Sequence, residues 1–467
     1  MTRDLTQGSP LRLIAGFTLP TLLGMLFQQF YNLVDAMIVG KLLGADALAA
    51  VGSTGSISFF VLGFCMGVCS GFAIPVAQRM GAGEPSKMRR YAANSGWLSV
   101  FLALALTAAT ALLCRSILTW MNTPEEIFQD AYRYILIIFL GIPTTFLYNL
   151  LAGIIRSLGD SKTPVYFLAL SSVLNILLDL GLILFFRAGT AGAALATVIS
   201  QGVSGLACLW YMAKKFPILR MTPQERRPDF HACRVLLGMG LPMGLQYSIT
   251  AIGSIVLQSA VNGLGSTCIA AVSAGNKLFH LLACPFDAMG AAMATYCGQN
   301  VGACRLDRLG RGLRACSVLG AGYSVLALGA MLLFAPQCAM LFLDRNEPEL
   351  MLLQALTAQY IVVSAAFFFP LALVNIVRFS IQGMGFGAFA VLAGVLEMAA
   401  RTVTGRFFVP ALGYSAACFA SPAAWVCADL FLIPASAWCI ARLRRLYPDQ
   451  TPQPAPLGQP ARAVSGQ

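Results

Sequence analysis

Charge is scarce in this chain, and histidine is scarcer. Asp, Glu, Lys and Arg make up 11% of the 467 residues, against about 25% in soluble domains, and only two residues are histidine. So little charge excludes water as the main solvent of the fold. So little histidine, with no Ser/His/Asp pairing and no metal-ligand spacing, leaves no basis for a catalytic triad or a zinc enzyme. No Gly-rich phosphate loop or Walker motif is present, which removes nucleotide hydrolysis. The 14 cysteines include no CxxC pair and no Cys/His zinc spacing. Most of them, such as Cys65, Cys69, Cys208 and Cys427, lie in apolar stretches where Cys behaves as a small hydrophobe. A cleavable signal peptide is missing as well: the first apolar segment has no small-residue cleavage pattern and contains Asp35. Neither an enzyme nor a resident cofactor is expected.

Apolar residues are abundant. They form 58% of the chain, with a mean hydropathy of +0.75, and they fall in blocks long enough to cross a bilayer. Twelve spans are predicted, with cores near 13–39, 48–78, 92–118, 131–155, 163–187, 190–213, 233–262, 267–298, 313–342, 354–381, 387–410 and 414–441. The net charge of +12 raises nucleic-acid binding, but its placement argues otherwise. With the N-terminus inside, inner segments hold about 23 Lys and Arg and outer loops about 5. That asymmetry predicts a multi-pass protein of the inner (plasma) membrane with both termini cytoplasmic. Basic loops such as Lys214, Lys215, Arg220, Arg226 and Arg227 then suit anionic lipid headgroups, and no base-reading module accompanies them.

An internal repeat organises the spans. Pro20 in LPTLLGMLFQQ corresponds to Pro242 in LPMGLQ; 31 residues after the first comes Val51, and 30 after the second comes Val272. From those valines it is 27 residues in both halves to Gln78 and Gln299. Pro143 and Gly159 are matched by Pro370 and Gly385. Six spans per half is an even number, so the halves are parallel repeats related by a pseudo-twofold axis along the membrane normal. The expected division is an N-terminal six-helix lobe at 1–213, a cytoplasmic linker at 214–232, a C-terminal six-helix lobe at 233–445 and a disordered tail at 446–467. The fold class is all-α integral membrane, and two lobes around a seam suggest alternating access.

Ionisable groups at membrane depth are expensive, so each is a candidate. Asp35 lies in YNLVDAMIVG on the first span; Asn175 and Asp179 lie one turn apart on the fifth. At about 1.5 Å per residue, Asp179 and Thr197 sit about 12 Å from the outer ends of their spans and Asp35 about 9 Å. These four oxygen-bearing side chains can meet at one level and hold a proton or a hard cation such as Na+. A buried hydrogen-bond network is the plainer alternative. The second half offers Lys277, Asp287, Glu397 and Arg401, with Lys277, Glu397 and Arg401 as candidate substrate or gating residues. Glu397 and Arg401, one turn apart, equally form an internal salt bridge. Pro20 and Pro242 are expected to bend their helices, and His280 to be a packed core residue.

At these residues the chain resembles the multidrug and toxic compound extrusion (MATE) family, from about Leu13 to Arg445. The likeness is carried by LPTLL, YNLVDAMIVG, RMGAGE, GIIRSLGDSKTP, NILLDLG, GTAGAALATVIS and GLPMGLQ. It implies a V-shaped pair of six-helix bundles exporting amphipathic, often cationic drugs or metabolites in exchange for Na+ or H+. It also implies that Asp35, Asn175, Asp179 and Thr197 are the cation ligands of the branch whose coupling site is N-terminal. The seventh span lacks the acidic residue that another branch uses. Expected partners are a small-molecule substrate and the lipid bilayer, with the chain acting as a monomer. The alternative is a lipid-linked sugar flippase, for which Lys277 and Arg401 are the basic groups on offer.

Overall fold

The structure is a computed structural model, and it describes residues 4–121, 123–341 and 349–447. The expected tail lies almost wholly outside them. Among the described residues there is no strand. The helices, in chain order, are α1 (Pro10–Leu43), α2 (Ala45–Ser53), α3 (Gly55–Gly81), α4 (Pro85–Trp120), α5 (Glu125–Leu140), α6 (Ile142–Ser157), α7 (Lys162–Leu180) and α8 (Gly189–Lys215). They continue with α9 (Phe230–Asn262), α10 (Ser266–Gly302), α11 (Asp307–Ala339), α12 (Leu350–Ala366), α13 (Phe368–Gly383), α14 (Gly387–Val403), α15 (Val409–Leu412) and α16 (Tyr414–Leu446). Ten helices are long and apolar enough to cross a bilayer, and the pairs α5–α6 and α12–α13 bring the spans to twelve. The chain is an all-α, multi-pass membrane protein. Its outer faces stay apolar, as lipid requires: Leu112 on α4 is 84% exposed.

Two of the twelve spans are broken, by 45° between α5 and α6 and by 51° between α12 and α13. Each break comes just before a proline, Pro143 or Pro370, which supplies no N–H to the preceding turn and is tolerated in the first turn of a new helix. Pro20 and Pro242, where bends were expected, lie inside helices that run on without a break.

The repeat extends to the backbone. Positive φ recurs at Gly44 and Gly265, at Gly159 and Gly385, and at Gly189 and Gly413. Gly83 (φ 67°) is matched by Cys304 (φ 55°), a side chain where its counterpart has none. A π-helical turn follows α7 at Gly181–Phe185, and another follows α14 at Thr404–Phe408. An L-residue in the left-handed region costs about 1–2 kcal/mol. Cys304→Gly should therefore raise the melting temperature in detergent by about 2 °C. A variant that melts at or below the wild-type temperature would show that no strain is held there.

Among the described residues two large hydrophobic cores form, with two smaller clusters beside them. One is built from residues between Ala50 and Leu236, the other from residues between Leu278 and Leu443 together with Leu5, Leu13, Ile14 and Phe17. The start of α1 therefore lies in the second core, and the start of α9, through Ala232 and Leu236, lies in the first. The exchange is reciprocal.

At the end of the molecule that carries the two chain ends and the linker, the cores are pinned by a matched pair of glutamines. Gln78 Nε2 donates to the Gly383 carbonyl at 3.1 Å, and Gln299 Nε2 donates to the Ser157 carbonyl at 2.9 Å. Each satisfies a carbonyl in the last turn of a helix, α13 or α6, that has no partner within its own helix. Gly81 and Gly302 lie beside them, each with its Cα against the backbone of the other half's glutamine, so neither position has room for a Cβ.

The linker is fastened to α4. Arg89 holds Glu225 through two bonds of 2.8 and 2.7 Å, Trp97 donates to the Arg226 carbonyl, and Arg90 pairs with Asp229 at 3.0 Å. The Arg89 hydrogen bonds pull the Glu225 carboxyl down from 4.5 to about 2. A carboxyl lowered in the folded state stabilises the docked linker fully above about pH 4.5, and that contribution is lost as pH falls towards 2. At neutral pH, Glu225→Gln should speed tryptic cutting after Arg226 by about threefold or more, because linker opening becomes easier. A cutting rate equal to wild type would mean that the pair does not hold the linker.

Candidate functional site

A cavity of about 810 Å³ lies between the two cores. Its walls come from the halves of α3, α9 and α10 away from the glutamine clasp, so it occupies the other end of the seam.

On the first-core side, the structure brings the four expected residues together. Asn175 Nδ2 donates to Thr197 Oγ1 at 3.3 Å, and Thr197 in turn donates to the Ala193 carbonyl. Asp35 and Asp179 are immediate neighbours, close enough to interact directly. Asp35 and Thr197 line the cavity, while Asn175 and Asp179 stand behind them, 1% and 0% exposed. Four oxygens of this group are buried without a hydrogen-bond partner among the described residues: Asp35 Oδ1, both Asp179 carboxyl oxygens and Asn175 Oδ1. The local reason is helical register. Residues 175 and 179 lie on one face of α7, and α7 packs on both α1 and α8. Two tyrosines that sequence reasoning did not single out, Tyr31 on α1 and Tyr134 on α5, also line the cavity within electrostatic reach of both carboxylates.

The opposite wall differs. Glu397 on α14 is paired to Arg401 one turn on at 3.4 Å, as expected, but its closer partner is Arg378 of α13. Arg378 is 4% exposed, and sequence reasoning did not single it out because it stands near the end of its apolar run. Asp287 on α10 and Asp429 on α16 lie within electrostatic reach of Arg378. Asp287, Arg378, Glu397 and Arg401 all line the cavity.

Two expectations need correction. His280 is exposed to the cavity rather than packed in the core, because α10 turns the Asn276, His280 and Asp287 face inward. Lys277, one residue beyond Asn276, points off that face; it is exposed and contributes nothing to the cavity lining.

Aromatic groups complete the walls. Phe279 and Trp425 stack with centroids 5.6 Å apart, and Tyr360 donates to Asn276 at 2.8 Å. Among the described residues, no cluster of three or more His, Cys, Asp or Glu suits a transition metal. The donor set beside Asp35 is all oxygen, which fits a proton or a hard monovalent cation and not a soft metal.

Several known proteins resemble this chain in sequence or in shape. YoeA of Bacillus subtilis (strain 168), described as a probable multidrug resistance protein, is 30% identical over 354 residues, covering 74% of this chain and 76% of that one. YpnP of the same organism, with the same description, is 33% identical over 299 residues, 64% of this chain and 67% of that one. A solved structure described as the outward-facing conformation of a multidrug resistance MATE family transporter of the MOP superfamily superposes with a TM-score of 0.87. It is 22% identical and covers 95% of this chain and 99% of its own. The MatE family model matches twice in tandem, at residues 20–180 and 242–405, and on that ground the chain belongs to the MatE family.

Proposed function

We propose that this protein is a secondary antiporter that exports amphipathic, often cationic, drugs or metabolites in exchange for Na+ or H+ by alternating access. The observation that carries the reading is the set of four buried, unpartnered oxygens of Asp35, Asp179 and Asn175 at the edge of the cavity. Unfilled acceptors in a low-dielectric setting are costly, and two neighbouring carboxylates repel, so the site favours a proton or a small cation. Asp35 and Thr197 offer it a path from the cavity. A cationic cargo in the cavity draws on the same negative charge, so each occupant weakens the other, which is the coupling that antiport requires. Tyr31 and Tyr134 stand beside the site on the cavity wall. In this reading, the six-span lobes at 1–213 and 233–445 are the moving bodies, the linker at 214–232 is cytoplasmic with both termini, and the chain works as a monomer. The cavity then faces outward.

The test uses vesicles loaded with ethidium under separately imposed sodium and pH gradients. Asp35→Asn and Asp179→Asn should each cut gradient-driven export by about tenfold or more, the loss expected from about 1.4 kcal/mol of coupling. Export in both variants that still follows the gradient at the wild-type rate would remove the coupling site. The gradient that drives wild-type export identifies the ion.

A further inference from the structure

Among the cavity-lining guanidinium groups, one has no carboxylate paired to it. Arg156, from the GIIRSLGDSKTP stretch, lies on α6 at the floor of the cavity, where it also lines a small adjoining pocket of about 60 Å³ between the cores. Arg378 and Arg401 share Glu397 as their counter-charge, whereas the Arg156 side chain makes no ion pair and no hydrogen bond among the described residues. It stands next to the end of its span, where a basic residue is the ordinary topology signal, yet it faces the cavity.

An uncompensated guanidinium in such a place needs an anion, water or a strong dipole around it. Its neighbours on the cavity wall are two tyrosines. Tyr148 on α6 spends its hydroxyl proton on the Pro164 carbonyl at 3.0 Å. The Tyr247 hydroxyl on α9, which Asp287 and Arg378 also reach electrostatically with opposite charges, has no hydrogen-bond partner among the described residues, so its O–H is available to donate. The two free donors come from opposite halves of the sequence: α6 packs in the first core, and α9, from the second half, runs along the seam between α3 and α14. A guanidinium fork and a phenol O–H together match a carboxylate or phosphate.

We infer that Arg156 and Tyr247 form an anion subsite at the cavity floor, so that the cargo includes amphipathic molecules bearing a carboxylate or phosphate as well as cations. The inference deepens the exporter reading, because it rests on the cavity being the cargo site. An anion held there touches both halves of the molecule at once. Its release is therefore tied to the movement that parts α6 from α9.

The experiment measures equilibrium binding to the purified full-length protein with no gradient present, using carboxyfluorescein as the anionic probe and ethidium as the cationic one. Wild type should bind carboxyfluorescein. Arg156→Gln should weaken that binding by about tenfold, Tyr247→Phe by about threefold, and Arg156→Lys should fall between wild type and Arg156→Gln, because lysine keeps the charge and loses the fork. Ethidium binding by the same preparations reports whether each variant is folded. Equal carboxyfluorescein affinity in wild type and Arg156→Gln would overturn the inference, as would a wild type that binds no anion. Should Arg156→Gln fail to fold, wild-type affinity in Tyr247→Phe, or wild-type binding that inorganic phosphate does not compete away, overturns it instead. Repeating the titration in nanodiscs separates two sources of the anion. Competition by phosphatidylglycerol but not phosphatidylcholine assigns the subsite to a lipid headgroup, and equal binding in both assigns it to a soluble anion; each supports the subsite. Failure here is distinct from failure of the antiport reading, since gradient-driven ethidium export depends on Asp35 and Asp179 and is measured separately.

Discussion

Exchanging Glu397 for glutamine should lower the melting temperature in detergent by on the order of 5–10 °C, from a loss of about 3–5 kcal/mol. The side chain is buried, with Arg378 and Arg401 converging on it from two helices. Removing its charge strands two guanidinium groups beside each other in a region that water reaches only through the cavity. A buried pair contributes little net stability against a well-packed apolar replacement, yet breaking it from one side is costly. The combined exchange Arg378→Met, Glu397→Leu and Arg401→Met should therefore recover most of the lost stability. If Glu397→Gln melts with wild type, Asp287 and Asp429 are the effective counter-charges and Glu397 is dispensable.

The second large effect is expected at the glycine pair of the clasp. A methyl group at Gly81 or Gly302 cannot fit against the facing backbone, which belongs to another helix and cannot swing aside as a side chain would. The double variant Gly81→Ala, Gly302→Ala should shift the balance away from the conformation described here and towards one parted at that end. A bias of about 1.4–2.7 kcal/mol, or 10- to 100-fold in the ratio of states, is the expected scale. Distances between spin labels on the α3–α4 and α10–α11 connections would lengthen. An unchanged distance distribution would mean that the helices absorb the methyl groups by a local shift.

Much of this architecture is legible in the sequence because the bilayer enforces a simple rule: twelve apolar runs of spanning length become twelve helical spans, and each predicted core coincides with an observed helix or consecutive helices, except that 163–187 and 313–342 run past the helix ends at Phe185 and Ala339. Asp35, Asn175, Asp179 and Thr197 could be assembled from helix rise alone, since α7 and α8 are consecutive and antiparallel and α1 packs on α7. Arg156 and Arg378 escaped for the opposite reason. Both stand near the ends of apolar runs, where positive charge is the ordinary topology signal, and only the packing shows them turned inward. His280 was misjudged because apolar neighbours in sequence say nothing about which face of a helix borders a cavity. The broken spans had a signal in Pro143 and Pro370, but proline alone does not tell a break from a helix that absorbs it, as α1 and α9 do at Pro20 and Pro242.

The reciprocal exchange of helix starts limits how the two bodies can travel. Because Ile14 and Phe17 are embedded in one core and Leu236 in the other, neither body can slide past its neighbour without uprooting a segment. The remaining freedom is flexure of the shafts just beyond their sockets, and Pro20 and Pro242 stand there, six residues past Ile14 and Leu236. Stiffening those two points with alanine would brace both pivots of the rocker together.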